Sequence, residues 1–281
     1  MVFLCGKNVG ANHKIGGTAF LVTLQGEGTV HAYLVTAQHS LELARKNYEE
    51  LYLRVNMKDA WYSKEGRSVN YIKVPFDWTR SDDPAVDVAV LPAPSILALA
   101  YQVAVIPEEM FLTDAISEEY QLSVGDEVLI TGLFTKRAGR ERNIPIVRGG
   151  IVAAGPEEPL PDVGRTGLSY RAYLLEVRSI GGISGSPVFV FLGYDRDKDG
   201  QINQQARVFL LGMIRAHWDY RPGESVEAVD DERKDKEPLN SGIAIAIPVQ
   251  EIVAVLNKEE LVKQRRERER QIAEKNAPTL D

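Results

Sequence analysis

Short apolar runs broken by turn residues dominate this chain. Residues 17–24 read GTAFLVTL and residues 29–36 read TVHAYLVT. Residues 51–55, 86–91, 127–131, 146–152, 172–177, 187–192, 206–214 and 242–247 have the same character. These runs are rich in Val, Ile, Leu, Tyr and Phe and are separated by Gly, Pro, Asp and Asn, as strands separated by turns are. The pattern predicts an all-β, mostly antiparallel barrel or sandwich. Helical spacing is found in two places. Over residues 40–50, Leu41, Leu43, Ala44 and Tyr48 recur at helix-like intervals, with Ser40 as the expected cap. After Pro248, Ile252, Val253, Val255 and Leu256 make an apolar stripe. Residues 259–275 are mostly charged, which predicts a solvated helical extension or, on another reading, a partner-binding helix. Residues 222–238 are acidic and polar and predict a mobile loop. A link over residues 106–122 divides the chain into 1–110, 111–250 and a helical tail, 251–281.

Composition narrows the function classes. With 44% hydrophobic and 26% charged residues the chain is globular. A net charge of -7 argues against a nucleic-acid partner, which calls for a basic excess. No stretch approaches the roughly 20 apolar residues of a membrane helix, so no membrane partner is expected. The first residues, MVFLCGK, lack the basic start and long apolar run of a secretory signal. One cysteine, Cys5, excludes an internal disulfide and suits a reducing, cytoplasmic compartment. Cys5 reads as a buried thiol and not a nucleophile, although His13 could approach it in space. No HExxH or CxxC spacing points to zinc.

Three segments carry chemistry. Residues 34–39, LVTAQH, deliver His39 at the end of an apolar strand. Residues 86–91, VDVAVL, place Asp87 at the mouth of another. Residues 181–187, GGISGSP, hold Ser184 in a glycine-rich turn before the strand VFVFL. Each alone has a plain reading, a polar residue ending or capping a strand. Together they supply a hydroxyl nucleophile, the base it needs and an acid to orient that base.

These segments resemble the TAxH, DxA(V/L)L and GxSG(G/S)P motifs of the chymotrypsin-like (trypsin-like) serine proteases, in that family's order of His, Asp, Ser. The α/β-hydrolases and subtilisins use other orders. The resemblance spans residues 16–256 and implies two antiparallel six-stranded-type β-barrels with a C-terminal α-helix. The first barrel, residues 1–110, would carry His39 and Asp87; the second, residues 111–250, would carry Ser184. It further implies a serine endopeptidase acting on protein or peptide substrates, needing no cofactor, with the N–H groups of Gly182 and Ser184 as oxyanion hole. Arg215, Ala216 and His217 fall in the region that lines the family's substrate cleft. Because Ile183 stands where secreted trypsins carry an aspartate, the resemblance is to intracellular or bacterial members that mature without the zymogen cut. Such a protease must be restrained, and a regulatory protein partner is one means. Two other readings stay open: an inactive protease-like binding module, and an α/β-hydrolase esterase. The esterase elbow GxSxG fails because position 186 is serine.

Two further features lead to tests. Residues 195–203, DRDKDGQIN, match the first nine positions of a calcium loop, with Asp195, Asp197, Asp199 and Gln201 as ligand candidates. The twelfth position is Ala206 where a glutamate is expected, so a plain polar hairpin tip is the rival reading. If the loop binds calcium, millimolar calcium raises the melting temperature and Asp195→Ala abolishes the rise; no shift identifies the plain hairpin. By family resemblance Arg178, six residues before Ser184, sets the base of the primary pocket. That predicts cleavage after Asp or Glu, unless Arg178 points outward or pairs with Glu176. No acidic residue lies between Val177 and Ser184, so cleavage after Lys or Arg is expected to be poor. A peptide-library profile decides: efficient cleavage after Lys or Arg refutes both statements, and cleavage only after small or aromatic residues refutes the acidic preference.

Overall fold

The computed structural model describes residues 1–58, 68–94, 96–133, 138–161, 166–177, 183–192, 207–220 and 239–276. Two β-structures account for most of it. The N-terminal half contributes β1 (Val2–Lys7), β2 (Lys14–Gly26), β3 (Thr29–Thr36), β4 (Glu50–Asn56), β5 (Val69–Val74), β6 (Thr79–Arg80), β7 (Ala89–Pro92) and β8 (Val105–Pro107). They form one sheet in the order β5-β4-β1-β2-β3-β7-β6, antiparallel throughout, with β8 added parallel to β2. Helix α1 (Gln38–Asn47) follows β3, and α2 (Ile96–Ala100) follows β7.

After the link come α3 (Asp114–Glu119), β9 (Glu127–Leu133), β10 (Pro145–Ala154), the short pair β11 (Leu160–Pro161) and β12 (Ser169–Tyr170), then β13 (Tyr173–Glu176), β14 (Pro187–Leu192), β15 (Arg207–Tyr220) and β16 (Leu239–Pro248). Six of these close into a barrel, β10-β13-β16-β15-β14-β9. Strands β15 and β16 run so close that a Cβ at Gly212 would lie 1.9 Å from the Ile247 carbonyl oxygen. Helices α4 (Val249–Leu256) and α5 (Glu259–Asn276) end the chain. The arrangement is consistent with the chymotrypsin-like double barrel expected from the sequence. In the N-terminal half it differs in detail: among the described residues, seven of the eight strands form a path whose end strands, β5 and β6, do not pair, and β8 lies off it beside β2.

The long apolar run in β2 is explained by burial on both faces. Phe20 and Val22, with Tyr33 and Val35 of β3, join the core shared with the barrel. Ala19, Leu21 and Leu34 point the other way and pack with Leu41, Leu51 and Leu53. Alternate side chains of a strand face opposite sides, so an unbroken apolar run suits a strand covered twice. The two halves therefore share one core. Cys5 lies in a small cluster with Phe3 and Leu133, and burial pushes its thiol up to about 12, against the opposing influence of Arg54. A thiol so disfavoured as thiolate is no nucleophile.

Both predicted helices are present, with differences. Helix α1 starts at Gln38, and its N-cap is Ala37 in extended conformation, not Ser40. His39 thus lies in the first helical turn. Helix α4 buries Val249, Ile252, Val255 and Leu256. The tail expected to be solvated instead lies along the N-terminal sheet. Leu261 is buried, Arg265 Nη1 donates to the Tyr33 hydroxyl at 3.2 Å and to the Leu256 carbonyl at 2.7 Å, and Glu269 Oε1 lies 2.8 Å from His31 Nε2. These three residues recur every fourth position, so they share one helix face. A docking face with a single fully buried apolar residue, Leu261, leaves little trace in a hydrophobic pattern.

The hydrogen bond to His31 is the chief influence holding the Glu269 carboxyl below the usual carboxylate range, and the Glu27 N–H helps. A carboxyl lowered in the folded state stabilises the fold above the unfolded value and loses that contribution as pH falls through the folded value. Glu269→Gln is therefore expected to lower the melting temperature at pH 7, with a deficit that shrinks below about pH 4. Thermal melts of both proteins across pH 3–7 check this; a pH-independent deficit would mean that the contact is not ionic.

Candidate functional site

His39 and Asp87, 48 positions apart, are in direct contact. Strand β3 ends at Thr36, Ala37 turns the chain, and α1 begins, so the strand aims the histidine and the helix holds it. Asp87 precedes β7, the neighbour of β3 in the sheet. Its carboxylate is fully buried and accepts from both parts of His39: the backbone N–H to Oδ1 at 2.8 Å, and the ring Nδ1 to Oδ2 at 2.6 Å. The Gln38 N–H also reaches the Asp87 backbone carbonyl, at 3.4 Å. Asp87 thus does the work of the missing side-chain cap, placing its negative charge against the first N–H groups of α1. A carboxylate can only accept, so Nδ1 carries the proton and Nε2 is the ring nitrogen left for proton exchange. The imidazole is about one-third exposed, 34%.

Ser184 stands in the turn before β14, partly exposed, and that turn is anchored on both sides. Toward the sheet, the Thr18 N–H donates to the Ser184 carbonyl at 3.3 Å, and the Thr36 hydroxyl donates to the Thr18 carbonyl at 2.7 Å. Toward the barrel, the Gly185 N–H donates to the Ile214 carbonyl at 2.8 Å and the Ile214 N–H to the Ser186 carbonyl at 2.9 Å. Gly185 has φ +83, and a Cβ there would meet the Thr18 carbonyl at 2.1 Å, so only glycine fits. The serine turn is fixed beside Thr36, three residues before His39. Thr18 and Thr36, which make this link, were not singled out from the sequence; Thr36 is the threonine of the TAQH segment.

Arg215, expected by resemblance among the residues of a substrate cleft, has a buried side chain. Its Nε lies 3.8 Å from Asp87 Oδ2, and its guanidinium carbon sits 3.7 Å from the centre of the Tyr170 ring. The pairing of β15 with β16 shifts register between Ile214 and Ala216, placing Arg215 in a β-bulge. A bulge re-aims a side chain against the strand alternation. Ala216 and His217, next along β15, are partly exposed, and Trp218 is exposed. Arg178, Gly182 and the calcium-loop candidates Asp195, Asp197, Asp199 and Gln201 lie outside the described residues, as does the acidic segment 222–238. Among the described residues no group of three His, Cys, Asp or Glu side chains could hold a metal ion, and no helix is long and apolar enough to cross a membrane.

Chemically, this arrangement is an oriented imidazole with a buried carboxylate behind it, and a rigidly held serine turn anchored at the same seam. No family model matches the chain, and no curated protein matches it. Among solved structures it is similar to the HtrA-type protease AlgW with decapeptide, at 18% identity and TM-score 0.43, covering 89% of this chain and 54% of that one. It is similar to the Rv3671c protease from M. tuberculosis in its active form, at 15% identity and TM-score 0.45, covering 92% and 79%. It is also similar to Deg5, at 14% identity and TM-score 0.44, covering 90% and 85%. The chain spans about half the length of the AlgW chain, and all three likenesses are distant.

Proposed function

We propose that this chain is a serine endopeptidase. The observation that carries the reading is the His39–Asp87 pair, its Nδ1 committed to a buried carboxylate, with the Ser184 turn anchored at the same seam. In the proposed reaction, His39 Nε2 takes the proton of the Ser184 hydroxyl as Oγ attacks the scissile carbonyl carbon. The tetrahedral intermediate's oxyanion is held by the N–H groups of Gly182 and Ser184. His39 then gives the proton to the departing amine, leaving an acyl-enzyme. Water, deprotonated by the same imidazole, hydrolyses the ester and restores Ser184. Asp87 keeps the ring in the required tautomer and stabilises the imidazolium that forms at each step. A protein or peptide is the proposed substrate, and no cofactor enters the reaction. The single cysteine favours a reducing compartment, the cytoplasm.

Ser184→Ala and His39→Ala are each expected to lower peptidase turnover by roughly four to six orders of magnitude, because members of such a unit are not additive. The double variant should be little worse than either single one. A fluorophosphonate probe should label the native chain and leave Ser184→Ala unlabelled. A folded native chain that neither reacts with the probe nor cleaves peptides would favour the binding-module reading. Retention of activity in Ser184→Ala would remove that serine from the chemistry.

A further inference from the structure

The feature that the reaction scheme leaves unused is the buried cation behind the carboxylate. We propose that Arg215 is a positioning residue of the His39–Asp87 pair and not a substrate contact: wedged between Tyr170 and Asp87, its guanidinium holds the carboxylate in place and offsets the charge that the imidazole faces. The kinetic part of this proposal rests on the peptidase reading.

The geometry supplies the argument. Asp87 Oδ2 accepts the Nδ1 proton at 2.6 Å and has Arg215 Nε at 3.8 Å. The first contact is a hydrogen bond; the second is an ionic contact too long to be one. The histidine and the arginine therefore lie against the same oxygen. Aspartate and guanidinium together carry no net charge, so an imidazolium forming beside them meets a neutral pair instead of a lone anion. Arginine remains charged in any protein environment, so the effect persists across the working pH range. Both side chains are buried, at 0% and 6% exposure, where such interactions are weakly screened. The plane of the guanidinium has a partner as well, the Tyr170 ring, which holds its position.

Among the described residues, the next charge on the helix of His39 is paired elsewhere. On α1, Glu42 comes one turn after His39; it accepts from Gln38 Nε2 at 2.6 Å and lies 4.0 Å from Arg80 Nη1 of β6. His217, two residues along β15 from Arg215, is the other titratable side chain on that strand near the bulge. Arg215 is the cation placed on the Asp87 oxygen that binds the ring.

The consequence has a definite sign. A cation at Oδ2 offsets the anion that faces the imidazole. Removing the cation lets the imidazole hold its proton to higher pH, and the acid limb of the rate profile moves up.

The test compares Arg215→Met, Arg215→Gln and Arg215→Lys with the native chain in kcat and KM against pH on one peptide. Methionine and glutamine are expected to raise the acid limb by about one pH unit. They should lower kcat by roughly tenfold to a hundredfold, part of the roughly 10² to 10⁴ that a positioned base contributes, with KM nearly unchanged. Lysine should restore most of kcat and return the limb toward its native position. Glutamine covers the case in which methionine does not fold here. An unmoved limb with native kcat, or a rise confined to KM, overturns the proposal; a KM rise on acidic peptides alone would return Arg215 to substrate binding. A second arm needs no turnover: NMR titration of the His39 ring in Ser184→Ala, with and without Arg215→Gln. The glutamine form should keep its ring proton to higher pH, and coincident titrations overturn the proposal. Absence of all peptidase activity in the native chain would instead count against the functional reading and leave the NMR arm to decide on Arg215.

Discussion

The site depends on keeping one carboxylate charged where water does not reach it. Asp87 is fully buried at the seam between the sheet and the barrel. A buried anion is tolerated only when its surroundings replace what water supplied, and removing one partner from a buried pair costs roughly 3–5 kcal/mol. Among the described residues, partners of three kinds replace water here. The N-terminal turn of α1 offers the His39 N–H, the imidazole offers Nδ1–H, and the barrel offers a guanidinium. Two of these come from the residue that the carboxylate orients. The contacts that orient the histidine are thus also what makes the burial of the aspartate possible.

This constraint explains the order of elements around it. His39 must follow a strand directly, so that the strand delivers it, and must enter a helix at once, so that its N–H is unsatisfied and faces the carboxylate. Strands β3 and β7 must be neighbours so that Asp87 arrives at the same level. The barrel must then dock closely enough for Arg215 to reach across. The shared core, in which Phe20, Val22, Tyr33 and Val35 pack against barrel residues, supplies that docking. Hydrophobic burial over an area this extensive holds the halves together, while the charged contacts specify where they meet.

How much of this could be read from the sequence varies with the kind of signal. Strands with continuous apolar runs, the helix after Pro248 and the three segments bearing His39, Asp87 and Ser184 were legible, because each is written in residues close together along the chain. The start of α1 was misread because its cap is supplied by Asp87, 48 positions away, and not by the neighbouring Ser40. The docking of α5 was missed because it uses Arg265 and Glu269 with Leu261 as the one fully buried apolar residue, which a hydrophobic pattern reads as solvated. Arg215 was grouped from the sequence with Ala216 and His217 as a substrate contact, and the contact its side chain makes with Asp87 was not foreseen. Alternation predicts side-chain direction only where register is unbroken, and the bulge between Ile214 and Ala216 breaks it at that residue.

That bulge also joins the two halves of the site through one stretch of chain. Ile214 exchanges backbone hydrogen bonds with the serine turn, accepting from Gly185 and donating to Ser186. The next residue, Arg215, turns its side chain to Asp87. With the extra residue, the strand stays in register with the serine turn on one side and reaches the carboxylate of the other half. The spacing between serine turn and aspartate is therefore set by two covalently adjacent residues. Any change in the packing of β15 on β16 acts on the serine turn and the His39–Asp87 pair together, and the irregular strand is part of how these groups are aligned.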